Sequence, residues 1–198
     1  MMTASVTNRV YLTNLMRYAC CLSVQRQNFR KHRKRLTLMK GRGSMDTENR
    51  VRIMSRDDAE LLIYEERFPE NAAVISFSDP EESRLTGLFP VNYDGACGHV
   101  FRVDIEDIDK ETLDERGCFD DFFPEAEEAA KFIRENMKAG RDIICQCEYG
   151  VSRSAGCAAA VREFFFGDGI RVFADYRYMP NQLVFNKIYD ALTKTENV

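Results

Sequence analysis

Strands alternating with helices along residues 51–193 predict an α/β domain of three layers, with a mainly parallel central sheet flanked by helices. Three observations carry this. Ala72-Ala-Val-Ile-Ser-Phe-Ser78 is a compact apolar run, as a strand buried on both faces requires. Phe101, Val103 and Ile105 alternate with Arg102, Asp104 and Glu106, the period of two of a half-buried strand. Phe122, Ala126, Ala129, Ile133 and Met137 recur at helical spacing.

The elements follow in order. Val51 to Met54 reads as a short first strand. Ser55 is the expected cap of a helix running to about Arg67, with Asp57 and Asp58 in its first turn, where negative charge is favoured, and Pro69 beyond its end. The buried run stops at Asp79-Pro80, and a loop is expected from there to about Gly98. The alternating strand is expected to end at Asp107. The long helix has Pro124 near its start and Gly140 just past its end. Ile143-Ile144-Cys145 begins another buried strand. A helix over Ser154 to Phe166 closes at Gly167, and a last one over Asn181 to Thr193 follows Pro180.

The chain has 198 residues, 44% apolar, with 14 Phe and 8 Tyr, enough for one core. The apolar run Tyr18 to Val24 is flanked by Arg17 and Arg26, far short of the roughly 20 residues of a membrane helix, so no membrane span is expected. Seven Cys are scattered without CxxC or Cys/His spacing, which fits neither a disulfide framework nor a zinc site and points to reduced thiols in a cytoplasm. His99 has no second His near it and reads as a surface or capping residue. Charge is divided unevenly. Residues 1–44 hold ten Lys or Arg and no acid, whereas the remainder sets 18 basic against 32 acidic residues, a balance of −14. The basic extension over 1–44 reads as a tail without folded structure of its own or as a segment ahead of a natural start at Met45. A targeting peptide or an arm for nucleic acid or a membrane surface are the other readings. The folded domain is expected over 45–198, and its acidity disfavours nucleic acid as its ligand.

The chemistry is concentrated at Cys147-Glu-Tyr-Gly-Val-Ser-Arg153. A cysteine and an arginine six positions apart can wrap a loop around a phosphate, but the spacing alone is weak, since Cys20 and Arg26 repeat it. Only around Cys147 does an apolar strand lead in, Gly150 permit a sharp turn, and Ser154-Ala155-Gly156 open a helix. Such a loop aims backbone N–H groups and the positive end of a helix dipole at one point, and Arg153 adds a bidentate fork. The same field favours a thiolate, making Cys147 a candidate nucleophile. The bland alternative is an inert cysteine at a strand end.

The segment Cys147 to Ser154 resembles the phosphate-binding signature of the cysteine-dependent protein tyrosine phosphatases, in particular the compact dual-specificity branch and its bacterial relatives. Val103-Asp-Ile-Glu-Asp-Ile-Asp109 resembles the segment carrying that family's general acid, and Tyr178-Met-Pro-Asn-Gln182 its Pro-Asn element. The resemblance covers roughly residues 50–195. It implies a phosphatase of phosphotyrosine or dual-specificity type, acting on a phosphorylated protein or a small phosphate monoester with neither metal nor cofactor. Cys147 would attack phosphorus, Glu148, Tyr149, Gly150, Val151, Ser152 and Arg153 would hold the phosphoryl group, Ser154 would help the thiolate leave, and Asp107 would be the general acid.

Two departures qualify that reading. Gln146 stands where the family usually has His, so the support of the loop must differ. Asp107 lies 40 residues before Cys147, a long interval implying an insertion around Glu111 to Cys118. Residues 104–121 include nine acids, so Asp109, Asp104 and Asp114, or no acid at all, remain alternatives to Asp107. The rival function is a catalytically weak phosphate-binding pseudophosphatase that recognises phosphoproteins. The low-molecular-weight phosphatases and arsenate reductases share the spacing but carry it after their first strand, and rhodanese-type sulfur transfer generally uses a shorter loop. Glu148, with no Lys or Arg between Cys147 and Arg153, argues against a highly anionic inositol phosphate. Cys145 reads as a core thiol, while Cys97, Cys118 or Cys157 are candidates to trap an oxidised Cys147 as a disulfide.

Overall fold

The structure, a computed structural model, describes residues 50–87, 89–116, 119 and 121–194. The chain separates into two units, Met1–Met45 and Asp46–Val198, and the described residues belong to the second. The basic extension, the Cys20–Arg26 pair and Cys118 lie outside the described residues.

Four strands form one sheet in the order β1-β4-β2-β3, every neighbouring pair parallel: β1 (Val51–Met54), β2 (Ala72–Ser78), β3 (Val100–Asp104) and β4 (Asp142–Gln146). The described helices are α1 (Arg56–Tyr64), α2 (Pro80–Thr86), α3 (Lys110–Arg116), α4 (Ala126–Lys138), α5 (Arg153–Phe166), α6 (Ile170–Ala174) and α7 (Gln182–Lys194). Central β2 is buried throughout, and its residues alternate between two separate apolar clusters. Ala73, Ile75 and Phe77 join Ile143, Ile133, Val161 and Ile188 on the face of α4, α5 and α7. Ala72 and Val74 join Ile144, Ala59, Phe68 and Tyr93 on the face of α1. Two covered faces make the expected three layers, and they explain why β2 reads as a continuous apolar run. Among the described residues no helix is long and apolar enough to cross a membrane.

Local chemistry sets the ends. Ser55 caps α1 in a capping box, its Oγ accepting from the Asp58 N–H at 3.1 Å while the Asp58 carboxylate accepts from the Ser55 N–H at 3.4 Å. α5 stops at Gly167, whose φ of 70° is the left-handed turn expected of a helix end. Three expectations need correction. The stretch after Asp79 is not all loop: Asp79 Oδ1 accepts from the Glu81 N–H and Pro80 occupies the first position of α2, so the pair that looked like a breaker is a helix start. β3 ends at Asp104, three residues before Asp107, because Ile105 makes the last sheet-like bond to Ser78. Phe122 precedes α4 instead of belonging to it, and its neighbour Phe123 has φ of 60° and packs edge-on against Phe77. The interval that looked like an insertion holds α3.

Strand register aligns Met54 with Gln146 and Gln146 with Ser76. The chain therefore leaves β1, β4 and β2 on the same edge of the sheet. Loops at the carboxyl ends of parallel strands are where open α/β folds place their ligands.

Candidate active site

β4 delivers the chain into the 147–152 loop, and α5 begins directly after it at Arg153. The carbonyls of this loop are fastened to the surrounding protein. That of Cys147 accepts from Gln146 Nε2 at 2.8 Å, that of Glu148 from the Arg56 N–H at 3.0 Å, and that of Val151 from the Met179 N–H at 3.0 Å. The Ser152 carbonyl accepts from the Gly156 N–H at 2.8 Å and the Asn181 N–H at 3.1 Å. In a planar trans peptide the next N–H points opposite to its carbonyl. Fastening these four carbonyls outward therefore turns the N–H groups of Glu148, Tyr149, Ser152 and Arg153 toward the concave side. Ser152, a residue type that normally caps helices, makes no side-chain cap on α5 and donates its Oγ to Asp107 instead.

Gly150 has φ of 67°, and a Cβ there would stand 2.8 Å from the Ser55 nitrogen. Both the backbone angle and the space require glycine.

Cys147 and Arg153 are each 2% exposed. The Cys147 Sγ lies 3.0 Å from Ser154 Oγ. Arg153 Nη1 donates to the Ile105 carbonyl at 2.8 Å, while its buried Nε has no hydrogen-bond partner and sits 3.7 Å from Asp107 Oδ2. A buried donor without a hydrogen-bond partner costs about 1–3 kcal/mol, so the Arg153 Nε beside inward-turned amides is suited to donating to an anion.

The structure brings Asp107 to this loop and keeps the other candidate acids elsewhere. Asp107 Oδ1 accepts from Ser152 Oγ at 2.7 Å and from Asn181 Nδ2 at 2.9 Å. Asp109 instead caps α3, accepting from the Thr112 N–H at 2.9 Å. Asp104 accepts from Ser78 Oγ within the sheet. Asp114 is exposed on α3. Asn181 serves twice, because its Oδ1 also accepts from the N–H groups of Leu183 and Val184 at the start of α7. The resemblance singled out the Pro-Asn stretch, but nothing in the sequence connected it to Asp107.

Two side chains that support the loop escaped the sequence reading. Arg56, 7% exposed at the start of α1, donates from Nε to both carboxylate oxygens of Glu148 at 2.8 Å and from Nη1 to the Phe89 carbonyl and, at 3.4 Å, to Glu60. Burial works against its charge, but Glu148, then Glu60, outweigh it and hold the guanidinium pKa above its ordinary value. The loop's one acid is thus already paired. Tyr93 lies far from the loop in sequence, and its hydroxyl reaches Gln146 Oε1 at 3.2 Å.

Glu148→Ala is expected to take the two-oxygen carboxylate from Arg56 and leave it Glu60 and the Phe89 carbonyl. Losing a charge-assisted bond of this kind costs about 1.5–3 kcal/mol, read as a melting temperature lower by roughly 3–12 °C. The double replacement Arg56→Met with Glu148→Met should recover much of that loss, and an unchanged melting temperature in the single variant would remove the pair from the support of the loop.

The remaining thiols are placed as follows. Cys145 and Cys157 are buried side by side, and the Cys157 hydrogen bond, then burial and the neighbouring sulfurs, push the Cys145 thiol well above its ordinary range, so it stays protonated. The Cys97 thiol lies 3.4 Å from the carbonyls of Ala72 and His99.

Among solved structures the chain is similar to the human tyrosine phosphatase-like serine/threonine/tyrosine-interacting protein, with 15% identity, 70% of this chain and 85% of that one covered, and a TM-score of 0.46. It is similar to human DUSP28, with 13% identity, 75% and 95% covered, and a TM-score of 0.47. It is also similar to a leucine rich repeat and phosphatase domain containing protein from Entamoeba histolytica, with 14% identity, 75% and 90% covered, and a TM-score of 0.45. No family model matches the chain, and no curated protein does.

Proposed function

We propose that this chain is a cysteine-dependent phosphatase of tyrosine or dual-specificity type, hydrolysing phosphate monoesters through a phosphocysteine intermediate. The observation that carries this reading is the outward fastening of the loop carbonyls around Cys147, with the unpartnered Nε of Arg153 beside it. That arrangement supplies one anion site with a sulfur nucleophile inside it.

In the first step the Cys147 thiolate attacks phosphorus while the bond from phosphorus to the ester oxygen breaks, and Asp107 gives its proton to the departing alcohol. The N–H groups turned inward and Arg153 hold the three remaining oxygens and stabilise the charge spread over them. In the second step water attacks phosphorus, the Asp107 carboxylate takes its proton, and the phosphorus–sulfur bond breaks to return the thiolate. Ser154 donates a hydrogen bond to the leaving sulfur, consistent with its 3.0 Å approach. With Glu148 held by Arg56, Arg153 is the cation that meets the phosphate from within the loop, which suits a single monoester such as phosphotyrosine. Four free cysteines among the described residues suit a reducing compartment, and we place the protein in the cytoplasm.

Turnover of p-nitrophenyl phosphate with vanadate inhibition tests the reading against the phosphate-binding alternative. Vanadate affinity with no turnover would favour a binding module, and neither would sink the anion site altogether. A chain beginning at Met45 is expected to keep its activity and melting temperature, since all the described elements begin after Arg50. Loss of activity in that chain would assign the basic extension to the domain.

A further inference from the structure

We propose that Gln146 is a positioning residue that, backed by Ser76 and Tyr93, holds the Cys147 carbonyl away from the phosphate cradle. The proposal rests on the reading of the loop given above. Gln146 is the last residue of β4 and is 2% exposed. Its Nε2 donates to the Cys147 carbonyl at 2.8 Å, and its Oε1 accepts from Ser76 Oγ at 2.7 Å and Tyr93 Oη at 3.2 Å.

The orientation of the amide is fixed by chemistry. A carbonyl can only accept, so the nitrogen of Gln146 must face Cys147, and the oxygen must then face the two hydroxyls, which donate. Burial pushes the Tyr93 phenol well above its ordinary value, so it keeps its proton. Tyr93 is itself held edge-on against Phe68 at 5.5 Å, with the Arg102 guanidinium 6.0 Å from its ring centre. The chain of bonds therefore runs from a rigid ring to the first peptide of the loop. Turning the Cys147 carbonyl outward turns the Glu148 N–H inward, toward the anion. Ser76 stands opposite Gln146 in the sheet register, so β2 supports the loop carried by β4.

Gln146→Met keeps the length of the side chain and deletes all three bonds. Measured well below its melting temperature, it is expected to lower kcat for p-nitrophenyl phosphate about ten- to hundredfold and to weaken inhibition by inorganic phosphate, with KM moving less. Tyr93→Phe should cost about two- to fivefold in kcat, since Ser76 still donates. Gln146→His, whose ring N–H can reach the carbonyl, should recover part of the loss. A Gln146→Met protein that loses melting temperature while keeping kcat and phosphate inhibition within twofold of the parent would overturn the proposal. Should Gln146→Met not fold, unchanged kcat and phosphate inhibition in both Tyr93→Phe and Ser76→Ala would overturn it instead. The parent protein separates the two readings. If it binds phosphate without turnover, the catalytic reading fails, and equal phosphate affinities in parent and variants would then overturn the positioning role as well.

Discussion

Cys147→Ser is expected to abolish turnover while leaving the oxyanion site in place. The hydroxyl that replaces the thiol stays neutral and is a poor nucleophile without a base to activate it, so the rate should fall about 10⁴- to 10⁶-fold. The bonds to the four loop carbonyls and the Arg153 guanidinium do not involve the sulfur, and vanadate or phosphate affinity should stay within about tenfold. Phosphate affinity measured calorimetrically beside a turnover assay reads both halves. Activity near that of the parent would remove Cys147 as the nucleophile, and loss of both activity and affinity would mean that the loop had collapsed.

Asp107→Asn should separate substrates by their leaving groups. The asparagine oxygen can still accept from Ser152 and Asn181, so the latch between the loop and the residues after β3 survives and only the proton is lost. General acid help is worth about 10² to 10⁴ in rate. Phosphotyrosine, whose phenolate needs that proton, should suffer most of it, whereas an activated nitrophenyl ester should lose much less. Equal and small losses on both substrates would show that another group protonates the leaving oxygen. Asp109→Asn serves as a control, because Asp109 caps α3 and should affect stability more than rate.

How far the sequence could be read depended on the distance between partners. β2, the long α4 and the helix after the loop were legible because their signals lie within a few residues, in apolar period and terminal glycine. α2, α3 and α6 were not, since helices of five to seven residues show too little periodicity to outweigh Pro80 or a run of acids. At the site the loop residues 147–154 could be named from one local segment. The sequence favoured Asp107 only by its place after a strand, and the bonds from Ser152 and Asn181 that bring Asp107 to the loop were not legible in it. Arg56 was hidden for the same reason. Its partner Glu148 lies 92 residues on in sequence, past the end of the neighbouring strand, and a basic residue opening a helix whose first turn is acidic gives no sign of it.

The strand order β1-β4-β2-β3 has a bearing on when the protein becomes competent during its own synthesis. β1 has one partner, β4, with Val51 opposite Ile143, so the first described strand must wait for the last. The loop then draws its fastenings from both sides of that gap, from Met54 and Arg56 before it and from Met179 and Asn181 after it. Contacts so distant along the chain slow folding, and they leave a ribosome-bound chain lacking residue 181 without the Asn181 fastening of the Ser152 carbonyl or the Asn181 bond to Asp107. On the proposed reading, phosphate is therefore expected to bind the completed fold alone. By mass action it should stabilise the finished protein and offer nothing to partly made chains, which makes oxyanion protection a direct assay for successful folding.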